Sequence, residues 1–138
     1  QVEFPNFDSI LHHVYSFSEP KAFELKLYRD KPQAPIKFTQ PGVVELGCNI
    51  HDWMLGYILV VNSGVYGLTD KQGKIDLPLN PEQLGSANLH VWHERFEDLD
   101  KPESQVLTIK DVSQKVQYQL KQPLLEKIDF LTDETDGY

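Results

Sequence analysis

Apolar and polar positions alternate with period two in one short stretch after another, the pattern of half-buried strands. The clearest is Lys21-Ala22-Phe23-Glu24-Leu25-Lys26-Leu27-Tyr28, which turns Phe23, Leu25 and Leu27 inward. Two glycine-bounded runs follow, Gly42-Val43-Val44-Glu45-Leu46 and Gly56-Tyr57-Ile58-Leu59-Val60-Val61. Both are β-branched or aromatic-rich and are expected as strands. Val2-Glu3-Phe4, Ile36-Lys37-Phe38, Leu89-His90-Val91-Trp92-His93, Val106-Leu107-Thr108-Ile109 and Lys115-Val116-Gln117-Tyr118-Gln119-Leu120 read as further strands. Between them lie turn signals. Pro5-Asn6-Phe7-Asp8 ends the first strand, Gln40-Pro41-Gly42 opens the paired runs, and Asp70-Lys71-Gln72-Gly73 centres a hairpin over residues 69–77. Residues 29–35 and 78–86 are loops. The acidic tail, residues 124–138, is expected as a short helix or an unpacked end. The class is all-β.

Composition narrows the field without naming a function. A chain of 138 residues with 40% hydrophobic content is one medium domain, or one domain with an appendage. A net charge of −8 and the lack of any basic run argue against nucleic acid. No stretch is long enough to span a membrane. One cysteine excludes an internal disulfide, so bridges say nothing of the redox compartment.

That cysteine changes the picture. Gly47-Cys48-Asn49-Ile50-His51-Asp52-Trp53-Met54 holds the only cysteine and the only methionine, with a histidine midway. The pattern Cys48-x-x-His51-x-x-Met54 sits between two expected strands, where a tight loop can turn every third side chain toward one point. A thiolate, an imidazole and a thioether suit copper rather than magnesium or calcium. A blue-copper centre asks for a second imidazole, and the chain offers one in Leu11-His12-His13-Val14-Tyr15. Neighbours on a strand face opposite ways, so only one of His12 and His13 reaches a common point with Cys48.

These segments resemble the two copper-binding segments of the cupredoxins. The spacing Cys48-x-x-His51-x-x-Met54-x-Gly56 followed by an apolar strand looks like the amicyanin type. Phe4-Pro5-Asn6, His12-His13-Val14-Tyr15-Ser16-Phe17-Ser18 and the Cys48 loop are similar to bacterial plastocyanin-like proteins often labelled methylamine-utilisation proteins. The resemblance is close over roughly the first 62 residues and loose over the next 35. It implies a Greek-key β-sandwich with one copper ion held by His12, Cys48, His51 and Met54. His12 is chosen because it lies six residues after Asn6, as in the family; His13 is the alternative first ligand. Asn6 would brace the ligand loop from the neighbouring segment, and the Asn49 amide would point at the cysteine sulfur. His51 and Trp53 would form the docking patch for a redox partner. Two positions depart from the family pattern. Leu46 stands where an aromatic residue is common, and Ile50 and Asp52 stand where proline often stiffens the loop.

The implied organisation is a copper-binding segment over residues 1–62 and a β-rich extension over residues 63–138 with an acidic tail. The Thr69-Asp70-x-x-Gly73 turn and Val91-Trp92-His93 resemble, on short motifs only, the carboxypeptidase-regulatory type of β-sandwich. Cupredoxins place several strands before the asparagine, where this sequence offers only Val2-Glu3-Phe4, so either the natural chain is longer, which is the expectation, or the later residues complete the sandwich. The resemblance also implies export to the bacterial periplasm, or secretion, with the leader removed.

Each residue also has a plainer reading. A lone cysteine is usually a small buried hydrophobe, and Asp52 and the acidic clusters at 94–100 and 129–136 are usually solvated faces. His90 and His93, read as sharing one strand face, could make a second metal site, but packing or surface placement is expected for want of a third ligand. Four protein ligands leave no open metal position, so the expectation is an electron carrier and not an enzyme. Its partner contact would be transient, with no nucleic acid and no membrane span. The alternatives are a copper carrier or sensor using the same ligands, and a metal-free β-sandwich that binds a partner.

Overall fold

In a computed structural model the chain is described at residues 1–29, 34–48 and 51–127, with 27–28 and 51–54 described as backbone. The described residues are all-β, with antiparallel sheets and a single short 3-10 turn at Pro81–Gln83. The chain divides into two compact units, Gln1–Val61 forming the body of one and Asn62–Glu126 the other. Among the described residues no helix is long and apolar enough to cross a membrane.

The first unit is a four-stranded sheet. Its strands are β1 (His12–Ser16), β2 (Phe23–Tyr28), β3 (Gly42–Cys48) and β4 (His51–Val60), in the order β2-β1-β3-β4. Alternation sorts the side chains. Leu25 is buried while Glu24 and Lys26 are exposed, as the polar-apolar pattern predicts. In β3, Val44 is fully buried and Val43 nearly so, which places the strand in the interior of the sheet. Phe23 packs against Phe4 and Phe38, with ring centroids 5.6 and 6.0 Å apart. That cluster explains why residues 2–4 and 36–38 look like strands in the sequence. They meet only in one antiparallel bridge, Val2 to Ile36, and their apolar side chains serve packing instead of a ladder.

The second unit carries β5 (Gly85–Val91) and β6 (Glu103–Ile109), paired in unbroken register from Gly85↔Ile109 to Val91↔Glu103. Phe96, 1% exposed, is its most buried side chain, in the loop after β5 where the Trp92 indole donates to the Leu99 carbonyl at 2.8 Å. Of the hairpin expected over residues 69–77 the turn at 70–73 forms, but no strands flank it. The Asp70 carboxylate accepts from the Gln72 and Lys74 amides at 2.9 and 2.8 Å, and Gly73 takes φ 75°.

Residues 115–120 form no strand. Their neighbourhood is held by one carboxylate: Glu103, 8% exposed, accepts from the Tyr118 hydroxyl at 2.6 Å and from the Lys121 and Gln122 amides at 3.0 and 3.1 Å. The Tyr118 bond, and after it the two amides, keep the Glu103 carboxyl below its ordinary value against the opposing effect of burial. The same bond pushes Tyr118 up to about 12. A depressed folded pKa gives stability that is present above the ordinary glutamate value of 4.5 and is lost as pH falls through the lowered one. Melting temperature followed from neutral pH downward should show that loss. Glu103→Gln should flatten this acid limb and lower the neutral-pH melting temperature by about 5 °C. An unchanged acid limb would contradict the role given to Glu103.

Candidate metal centre

The site grows out of the β1–β3 register. Val14 lies opposite Cys48 and Tyr15 opposite Gly47. Residues opposite one another in an antiparallel ladder share a face, and neighbours along a strand do not. The pairing of β1 with β2 shifts register between His12 and Val14, so alternation alone does not set the face of His12; its contact with Cys48 does. His13 falls on the other face with Tyr15, whose ring it meets edge-on at 5.9 Å.

The contacts agree with the register. The His12 imidazole hydrogen-bonds Cys48, and its Nε2 lies 3.1 Å from Asp8 Oδ2. The Cys48 contact first, then Asp8, raise the His12 pKa. Asp8 is correspondingly lowered, by the His12 bond and then by the Ser9 amide. His13 Nε2 instead sits 2.9 Å from Glu24 Oε1. Cys48 itself is buried, 7% exposed, at the end of β3.

Glycine at 47 serves close approach. A Cβ there would lie 2.6 Å from Tyr15 Cζ and 2.7 Å from its hydroxyl oxygen. The Tyr15 ring thus covers the backbone beside Cys48 on the side away from His12.

Beyond Cys48 the structure departs from the expected plain loop. Residues 49–50 alone separate β3 from β4, and His51 opens β4 as the Cα partner of Cys48. The next pair is Gly47↔Leu55, so residues 52–54 are extra on the β4 side and break the ladder. Asn49 lies outside the described residues, and His51, Trp53 and Met54 are described as backbone. Among the described residues no group of three or more His, Cys, Asp or Glu side chains gathers as a metal cluster.

The approach to His12 is braced by a carboxamide. Asn6, 4% exposed, donates from Nδ2 to the Ile10 carbonyl and accepts from the Asp8 amide at its Oδ1, both at 2.9 Å. These two bonds fix the loop of residues 6–10, which delivers His12 to the sheet. Asp8 is a contact the sequence did not announce. It lies four residues before His12, a spacing that marks neighbours on a helix but carries no such signal in a loop.

Compared with family models, curated proteins and solved structures, the chain matches none.

His90 and His93 do not form a second centre. β5 ends at Val91, and an offset of three on a period-two strand cannot put both residues on one face. His90 is exposed, whereas the His93 ring packs 6.3 Å from Phe96 and its Nδ1 accepts from the Arg95 amide at 3.0 Å.

Proposed function

We propose that the first unit binds one copper ion and passes single electrons between redox partners, as a cupredoxin-like protein with a Greek-key sandwich. His12, Cys48, His51 and Met54 would hold the metal. The contact between His12 and Cys48 carries this reading, because it joins a buried thiol to an imidazole distant in the chain. The pairing of Cys48 with His51 supports it, since it sets a second histidine position beside the thiol. Thiol, imidazole and thioether are the donor types copper takes in preference to hard cations.

A copper ion bound there supplies a one-electron couple. The chain's part is to present its donors from a sheet, so that little rearranges when charge changes. Burial of Cys48 limits water at the sulfur, and the pairing of Val14 with Cys48 brings β1 beside it. Exposed Phe7, Ile10 and Leu11 flank the His12 approach and offer a small apolar contact surface, in keeping with a transient partner. The reading implies a carrier and not an enzyme, in the periplasm or secreted.

Titration with Cu(II) should develop an intense visible band that saturates at one equivalent. His12→Ala should abolish this band, and His13→Ala should leave it in place while loosening the fold through its Glu24 contact. The reverse pattern would assign the ligand to His13. No band in the wild type would contradict the whole reading.

A further inference from the structure

We infer that the face of the sheet opposite Cys48 carries a binding cleft for a small quaternary ammonium ion, walled by Tyr15, Phe17 and Leu55 and marked by the carboxylate of Glu45. The cleft stands apart from the copper reading, since it uses none of the proposed metal ligands.

Strand register builds it. Tyr15 and Leu55 are both Cα partners of Gly47, one from each strand beside β3. Glu45, two before Gly47 on β3, shares their face. Between these side chains and those of Phe17 and Ser18, just past the end of β1, lies a cleft of about 320 Å³. That is the lower end of the size range for small-molecule sites. Gly47 lets it form, because a Cβ there would lie 2.6 Å from Tyr15 Cζ and drive the ring away. The Tyr15 ring meets that of Phe17 with centroids 5.1 Å apart, tilted by 38°. Ser18 Oγ accepts from the Glu45 amide at 2.9 Å, and the Ser18 amide donates to Ser16 Oγ at 3.1 Å. These bonds fasten the end of β1 beside Glu45.

The lining selects a cation. Aromatic faces attract positive charge through the ring quadrupole. Glu45 is exposed, and among the described residues no ion pair involves it. The net charge of −8 adds a long-range pull of the same sign. The type of cation follows from the acceptors. A primary ammonium brings three N–H donors that need partners. Ser18 Oγ already receives the Glu45 amide, and the Tyr15 hydroxyl lies against the Gly47 backbone, which leaves the Glu45 carboxylate among the lining side chains to serve them. A quaternary ammonium has no N–H to satisfy, and its methyl groups pack on rings and aliphatic carbons. Phe17 and Leu55, 81% and 58% exposed, are the apolar surfaces it would cover.

The test is an NMR titration of the full chain with tetramethylammonium chloride, with n-butylammonium as the primary analogue, tert-butanol as the neutral one and sodium chloride as the ionic-strength control. Tetramethylammonium should give saturable shifts at the Gly47 and Leu55 amides and the Tyr15 and Phe17 rings, with a Kd on the order of millimolar. n-Butylammonium should bind more weakly, and tert-butanol should not saturate. Glu45→Gln should weaken binding about fivefold, and Phe17→Ala about two- to fivefold. Both sites are exposed, so both variants should keep the wild-type circular dichroism. No saturable shift with tetramethylammonium would overturn the inference. Equal binding of tert-butanol, or unchanged affinity in Glu45→Gln, would reduce the cleft to an apolar dent. Tighter binding of n-butylammonium would overturn the quaternary assignment and give the cleft to a lysine of a protein partner. No readout here involves copper, so this failure and that of the copper reading are distinct.

Discussion

Cys48→Ser is expected to erase the visible band of the copper-loaded protein. The band requires electron density donated from a sulfur bound as thiolate, and a serine hydroxyl stays protonated at neutral pH and is a far poorer ligand for copper. The exchange is nearly isosteric, and the hydroxyl inherits the hydrogen bond between Cys48 and His12. The metal-free variant should therefore stay folded, at a cost of about 1 kcal/mol. Copper affinity should drop by more than the roughly 100-fold that follows loss of an orienting group, because a ligand itself is removed. Absorption and calorimetric titration, with circular dichroism as the folding control, read all three quantities. A variant that kept the band would show that sulfur is not bound.

Phe96→Ala should be the most damaging single truncation in the second unit. Phe96 is 1% exposed, and among the described residues of that unit it is the one large side chain so fully enclosed. Removing a buried phenylalanine side chain costs about 3–5 kcal/mol. A core in a unit this short rarely supplies more than about that. Hydrogen exchange at the β5 and β6 amides should accelerate toward the rate of an open chain. Protection within tenfold of wild type, equivalent to about 1.4 kcal/mol, would show that the pairing of β5 with β6 stands without Phe96.

Much of the sheet was legible because its determinants are local. Phe23, Leu25 and Val44 advertise their strands through alternation and β-branching, and Gly42 marks where β3 begins. What escaped was decided by distant partners. Residues 115–120 have strand composition, yet the bonds near them go to the carboxylate of Glu103, on a strand that ends before they begin. The apolar spacing of residues 2–4 predicts a strand, whereas Phe4 packs against Phe23. At the site, Cys48, His51 and Met54 stand out by rarity and spacing. The β4 strand reaches back to His51, whereas the sequence predicts a tight loop there and a strand only from Gly56. Asp8 was invisible for a related reason: an exposed aspartate in a loop looks like any solvated charge until the fold brings a histidine ring against it.

The proposed choice of His12 over His13 as ligand depends on the strand register of β1. In the proposed reading His12 is favoured by its spacing from Asn6, as in the family the segment resembles, and by its contact with Cys48. A slip of one residue in β1 would exchange the two faces and bring His13 to the thiol. The cover of Tyr15 over Gly47 opposes that slip, because a side chain at 47 and the Tyr15 ring cannot share the space.

The most direct test is the electron paramagnetic resonance spectrum of the wild-type protein carrying one equivalent of Cu(II), recorded beside its visible spectrum. Narrow copper hyperfine splitting with an intense blue or green band is expected, since a bound Cys48 thiolate draws spin density off the metal. Ordinary wide splitting in a pale solution would contradict thiolate ligation and with it the proposal of an electron-transferring copper centre.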